Sequence, residues 1–235
     1  MKTGSLLPQT ILLVLTIATM ETALIWALQI APADKLQGDV QRIFYFHLGC
    51  IWPGFVAFFY VLYASIRYLI SRASKWDRRA FASGQVGLAF CTMVLVTGPI
   101  WAKPTWGVWW AWDARLTSTL IMWLIFLGYV MMRDYIDDQK MRERLSAVLG
   151  IIGASMVPFV YFSTRWFEVQ HPKPVVMGDA ESGIKDPNMV IALLLALAAF
   201  TLLYLFLWRR GTELAEGDAK LSELRMRMNA LEEEA

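Results

Sequence analysis

Histidine and cysteine are scarce in this 235-residue chain, two of each, and that scarcity removes whole classes of chemistry. Cys50 and Cys91 form no C-x-x-C or other metal-type spacing, and Cys91 sits inside an apolar run. Both read as small core residues without a disulfide. The chain also lacks H-E-x-x-H, a Walker-type phosphate loop and G-x-S-x-G. It therefore hydrolyses no nucleotide by itself and carries no recognisable nucleophile. No internal repeat is visible, which counts against most secondary transporters. Charge is thin, at 18% of residues against 57% hydrophobic, and the apolar residues come in long blocks rather than alternating. A net charge of +2 gives no reason to expect a nucleic-acid partner.

What is present is bilayer-length apolar sequence. About 20 apolar residues cross a hydrocarbon core, and six segments meet that length: 7–30, 51–70, 81–101, 116–132, 145–166 and 189–208. A lone strand would leave backbone groups unsatisfied in lipid, so each is expected to be a helix. The expected fold is all-α, a polytopic membrane protein with six transmembrane helices. Gly98-Pro99 is expected to kink or end the third span, and Pro158 to bend the fifth. Lys2 and Ala31-Pro32-Ala33 have the look of a signal peptide, but the apolar run is long and Pro32 suits a cleavage site badly; the first span is expected to be retained.

Fifteen of the 22 Lys and Arg residues fall at one set of span ends and seven at the other. By the positive-inside rule the richer side, with both termini, is cytoplasmic. Three connections then face outward: 31–50, the segment 102–117, and 167–188. The tail 211–235 differs from the membrane domain 1–210. There Leu214, Leu221, Leu224, Met228 and Leu231 follow a short heptad-like stripe amid charges, which suits a docking helix or a frayed end equally.

The outward segment holds Trp106, Trp109, Trp110 and Trp112 within seven residues, followed by Asp113 and Arg115. Interfacial belts explain Trp26, Trp52, Trp166 and Trp208, but four tryptophans together exceed that need. Were the loop helical, positions 106, 109, 110 and 113 would share one face, an aromatic shelf ending in a carboxylate. Asp113 is also placed to cap the fourth span. Both histidines, His47 and His171, fall on the outer side, flanking the shelf. Neutral imidazole is a common axial ligand to haem iron, and Trp offers flat apolar contact. Arg42, Lys103, Arg115 and Arg165 are cations available for propionates. Together these residues form a coherent haem site. Glu21 stands apart: a carboxylate within a span is costly, and either functional or a protonated bundle residue.

The run W-G-x-W-W-x-W-D-x-R-L-T at 106–117 resembles the signature of the tryptophan-rich "WWD" haem-handling proteins. With six spans, the whole chain is similar to the CcmC family of bacterial cytochrome c maturation. The resemblance implies axial ligands at His47 and His171. It implies a platform of Trp106, Gly107, Trp109, Trp110, Trp112 and Asp113 for haem b, carried as cargo, and for the haem chaperone CcmE. It further implies an ABC-type ATPase pair, CcmA and CcmB, and the small protein CcmD as partners, in the bacterial inner membrane with the tryptophan loop periplasmic. The chain would be a carrier and assembly platform rather than an enzyme. Relatives commonly read His-Val-Pro where this chain has His47-Leu48-Gly49-Cys50. A cytochrome c synthase of the wider family and a haem-free docking subunit are the alternative readings.

Overall fold

The computed structural model of the protein describes residues 6–167 and 186–233. Helix α1 spans Leu6–Ile25 and continues as a π-helical turn, Trp26–Ile30; a 3-10 turn, Asp39–Arg42, leads into α2, Ile43–Ser71. Then come α3, Ser74–Trp106; α4, Ala114–Met131, with a 3-10 turn Met132–Tyr135; α5, Gln139–Trp166; and α6, Pro187–Glu233. All six helices contain a stretch long and apolar enough to cross a membrane, as the run lengths require. Among the described residues no strand occurs.

Two helix ends are settled by the structure. Gly98-Pro99 does not end the third span, because α3 runs through Pro99 and Pro104 to Trp106. A proline removes one helical N–H, and in a membrane bundle neighbouring groups re-satisfy the backbone. Nor does the sixth helix stop at the membrane boundary. It continues without a break through 211–233, where Leu214, Leu221, Leu224, Met228 and Leu231 are all exposed. Half-burial persists past residue 210, and α6 becomes continuously exposed only from residue 217.

The interior is closed by aromatic rings set against glycine. Phe58 of α2 stacks on Phe126 of α4 with centroids 3.8 Å apart. A Cβ added at Gly87 would lie 2.7 Å from the Phe58 ring and 3.1 Å from Ala57 Cβ. Small residues allow this approach of helix backbones, which van der Waals packing rewards in lipid. Because the stack holds Phe58, Gly87→Val should overpack the α2–α3 contact and cost about 1–3 kcal/mol. A lower thermal midpoint in detergent is the readout.

At the end of the bundle bearing the 71–74 and 131–139 connections, a buried charge pair ties three elements. Arg133 donates Nη1 and Nη2 to the two Asp77 carboxylate oxygens, each at 2.7 Å, and Nη1 also to Ser146 Oγ at 3.0 Å. Its guanidinium lies 4.3 Å above the Phe81 ring. Asp77 is only 4% exposed and stands in the first turn of α3, where the helix dipole favours a negative charge. Cys50 and Cys91 are buried and unbonded, as core residues should be.

Candidate functional site

At the opposite end of the bundle, the 31–42 connection is built around local hydrogen bonds. Asp34 Oδ1 accepts from the amides of Leu36 and Gln37, both at 2.8 Å, an Asx turn closed by Gly38 at φ 58°. Gln37 then reaches across to α3, where its Oε1 accepts from Trp101 Nε1 at 2.8 Å. Arg42 donates Nη1 to the carbonyls of Ala27 (2.6 Å) and Ala31 (3.0 Å), and its Nε pairs with Asp39 at 2.9 Å. Those carbonyls end the π-helical turn, so a cation there satisfies orphan acceptors and the helix dipole together.

This anchoring positions His47. It lies in the second turn of α2 rather than in a loop, so one histidine is part of a membrane-spanning helix. The imidazole is 5% exposed. Its Nδ1 is 2.8 Å from Thr97 Oγ1, and its ring meets Trp101 edge-on with centroids 5.8 Å apart. Thr97 Oγ1 donates its proton to Met93 O at 2.7 Å. A hydroxyl has one proton to give, so toward His47 it accepts. With Thr97 accepting, the imidazole hydrogen sits on Nδ1 and the lone pair on Nε2. Gly98 lies beside this ring, and a Cβ there would stand in ordinary contact, 3.5 Å from His47 Cε1.

The tryptophan segment is not helical. α3 stops at Gly107, whose φ of 79° lies in the left-handed region and whose amide donates to Lys103 O at 3.0 Å; glycine is the residue that fits such a helix end. Residues 107–113 then run without regular structure, so the single shared face expected for a helical loop does not form. The rings are divided between two environments instead. Trp106 and Trp109 help to wall a pocket beside His47, with Pro99, Trp101 and Leu116. Trp109 and Trp112 also show 59% and 78% of their surface to the outside. Trp110 meets Trp112 edge-on at 5.7 Å, and its buried Nε1–H reaches no acceptor among the described residues.

Asp113 caps α4, its Oδ1 accepting from Leu116 N at 2.8 Å. Asp113→Ala should therefore destabilise the helix by about 0.5–2 kcal/mol, while Asp113→Asn retains the cap. Comparing the two by thermal unfolding separates capping from any role for the charge.

The four cations fall into two pairs. Arg42 is spent on α1 as described, and Arg115 donates to the carbonyls of Tyr161 (3.3 Å) and Val160 (3.5 Å), joining α4 to α5. Lys103 is exposed with Nζ 2.9 Å from Gly107 O. Arg165 is exposed with its guanidinium over Phe162. These last two are the cations most open to an incoming anion. His171 lies outside the described residues.

The structure thus brings His47 together with Trp106 and Trp109, and adds two residues that the sequence reading missed. Neither Thr97 nor Gln37 stands out in the sequence, because each acts only through a contact between elements far apart in the chain.

Comparison with known proteins decides the kinship. The family model described as "Heme exporter protein C" matches residues 2–225. The chain belongs to the heme exporter protein C family. Its relatives include the "Heme exporter protein C" of Bradyrhizobium diazoefficiens, 36% identical over 178 residues, covering 76% of this chain and 67% of that one. The protein of that name from Haemophilus influenzae is 32% identical over 213 residues, covering 88% and 84%. That from Rhodobacter capsulatus is 30% identical over 228 residues, covering 96% and 93%. Family membership therefore extends over the membrane domain and most of the α6 extension.

Proposed function

We propose that this heme exporter family member holds haem b, as cargo, at the outer face of the bacterial inner membrane and hands it to the periplasmic chaperone CcmE. The observation that carries the reading is the His47–Thr97 hydrogen bond beside the tryptophan segment. An acceptor on Nδ1 fixes the tautomer whose Nε2 lone pair can enter the iron coordination sphere, the usual arrangement for a ligating histidine. His171 is the second axial ligand in this reading. The excess of Lys and Arg at the opposite span ends supports an outward-facing site. CcmA, CcmB and CcmD would be the partners that free the loaded chaperone.

The donors suit haem, whereas the space beside His47 does not accommodate it at rest. That pocket holds about 20 Å³, room for about one water molecule. Binding therefore requires the wall formed by Trp106 and Trp109 to move. The unstructured backbone at 107–113 and the left-handed Gly107 are where that motion costs least. Iron supplies the affinity for imidazole; the chain supplies the remaining contacts. Exposed faces of Trp109 and Trp112 cover apolar macrocycle. Lys103, Arg165 and the unsatisfied Trp110 Nε1–H are donors for propionate oxygens.

Haem should co-purify with the chain when the chaperone is absent and leave when haem-free chaperone is added, followed by the Soret band. Protein that never carries haem under either condition would refute the reading. Trp110→Phe, which keeps the ring and removes the donor, should weaken haem retention by between about tenfold and about a hundredfold, the worth of one hydrogen bond to a charged acceptor.

A further inference from the structure

Glu21 is left unexplained by the haem site. It sits on α1 within the span Pro8–Ile30, about 20 Å from one end and about 14 Å from the other at the helical rise. That lies deep inside a bilayer core. The reading of Glu21 as a bundle residue fails, because its side chain is exposed. Helix α1 turns Thr16 and Ala23 inward, as its π-helical continuation does Ala27, and it packs chiefly against α6. No hydrogen bond or ion pair reaches Glu21 among the described residues. A carboxyl in lipid without a partner is one of the most unfavourable placements a span can hold.

The surroundings of Glu21 show where a partner would lie. Leu13, Ile17 and Met20 of α1, with Leu203 and Phe206 of α6, line an open groove of about 320 Å³ that Glu21 borders. Thr16 also lines the groove, but its hydroxyl is already given to Leu12 O at 2.7 Å, so Glu21 is the one charged group there. The groove therefore matches a helix that is apolar apart from one donor.

We propose that the α1–α6 groove seats a transmembrane helix of another membrane protein, which brings a cationic or hydrogen-bond-donating side chain to Glu21 deep within the membrane. The groove supplies van der Waals contact, and the carboxyl fixes the register, as polar groups do between helices in lipid. The surface lies on α1, away from His47 and the tryptophan segment, so it does not depend on the haem reading.

The test is photocrosslinking from a benzoylphenylalanine placed at Leu13, in membranes of cells that make the full chain and its natural partners. The adduct should map to a transmembrane helix of a different protein with Lys, Arg, His, Asn or Gln near its centre. Glu21→Leu should lower that adduct by between about threefold and about fifteenfold, the range set by one interhelical hydrogen bond. Glu21→Gln, which keeps hydrogen bonding, should retain most of it. Leucine suits a lipid-facing position, so both variants should insert normally, and the amount of chain in the membrane is the control. Adducts to lipid alone, to a second copy of this chain, or in a yield indifferent to Glu21→Leu would overturn the proposal.

Discussion

His47→Ala should convert the haem-loaded protein from a six-coordinate, low-spin species to a five-coordinate, high-spin one, and lower haem retention by more than about 100-fold. The magnitude follows from the hierarchy of ligand shells: loss of an outer-shell partner alone costs about 10–100-fold in metal affinity, and loss of the ligand exceeds it. Thr97→Val measures the outer-shell effect directly, since it removes the acceptor from Nδ1 while keeping the shape of the side chain. It should fall within that 10–100-fold range, with Thr97→Ser close to the parent. Added imidazole should restore the low-spin spectrum of His47→Ala. That rescue distinguishes a missing ligand from a damaged fold, because a collapsed site would not respond. An unaltered spectrum in His47→Ala would remove His47 from the coordination sphere.

The second large effect concerns stability, at the far end of the bundle. Arg133→Met should destabilise the protein by about 3–5 kcal/mol, because it strands the Asp77 carboxylate in a site from which water is excluded. Both Asp77 oxygens receive Arg133 donors at 2.7 Å, and Ser146 depends on the same guanidinium. The paired change Asp77→Leu with Arg133→Met removes both charges and should recover much of the loss. The pair links α3 to the turn after α4 and to α5, so a lower unfolding midpoint should accompany weaker membrane accumulation of the single variant. Similar midpoints for the single and double variants would show that the buried charge is not what the pair protects.

The six spans were legible because lipid imposes a length and a composition on any helix that crosses it, and both can be read residue by residue. The boundaries were less so. Gly98-Pro99 left a kink and an end of the third span both open, and α3 continues to Trp106. Local propensity does not report the neighbours that support a proline within a bundle. The same limit hid the true setting of His47: its place among aromatic residues suggested a loop, whereas Arg42, by capping α1, lets α2 begin at Ile43. Trp106–Asp113 stood out in the sequence through density alone. Its division into pocket wall and exposed faces depends on the turn at Gly107, which composition does not reveal. Thr97 was invisible for a different reason. Its role exists only across the α2–α3 contact, fifty positions from its partner, and one threonine in a span carries no pattern. Arg42 and Arg115 stood out as cations, but the backbone carbonyls they reach, at Ala27 and Ala31 and at Val160 and Tyr161, are set by the fold and carry no mark in the sequence.

The most direct test exploits the scarcity noted at the outset. Because the chain has only two histidines, nitrogen-15 histidine labelling of protein purified without a histidine tag marks His47 and His171 alone. In the ferric, haem-loaded protein, electron–nuclear resonance should show two imidazole nitrogens coupled to the iron spin. Both should change on labelling, with one set lost in His47→Ala and the other in His171→Ala. A ferric haem signal indifferent to histidine labelling would contradict the assignment of these two residues as the ligands that hold the cargo.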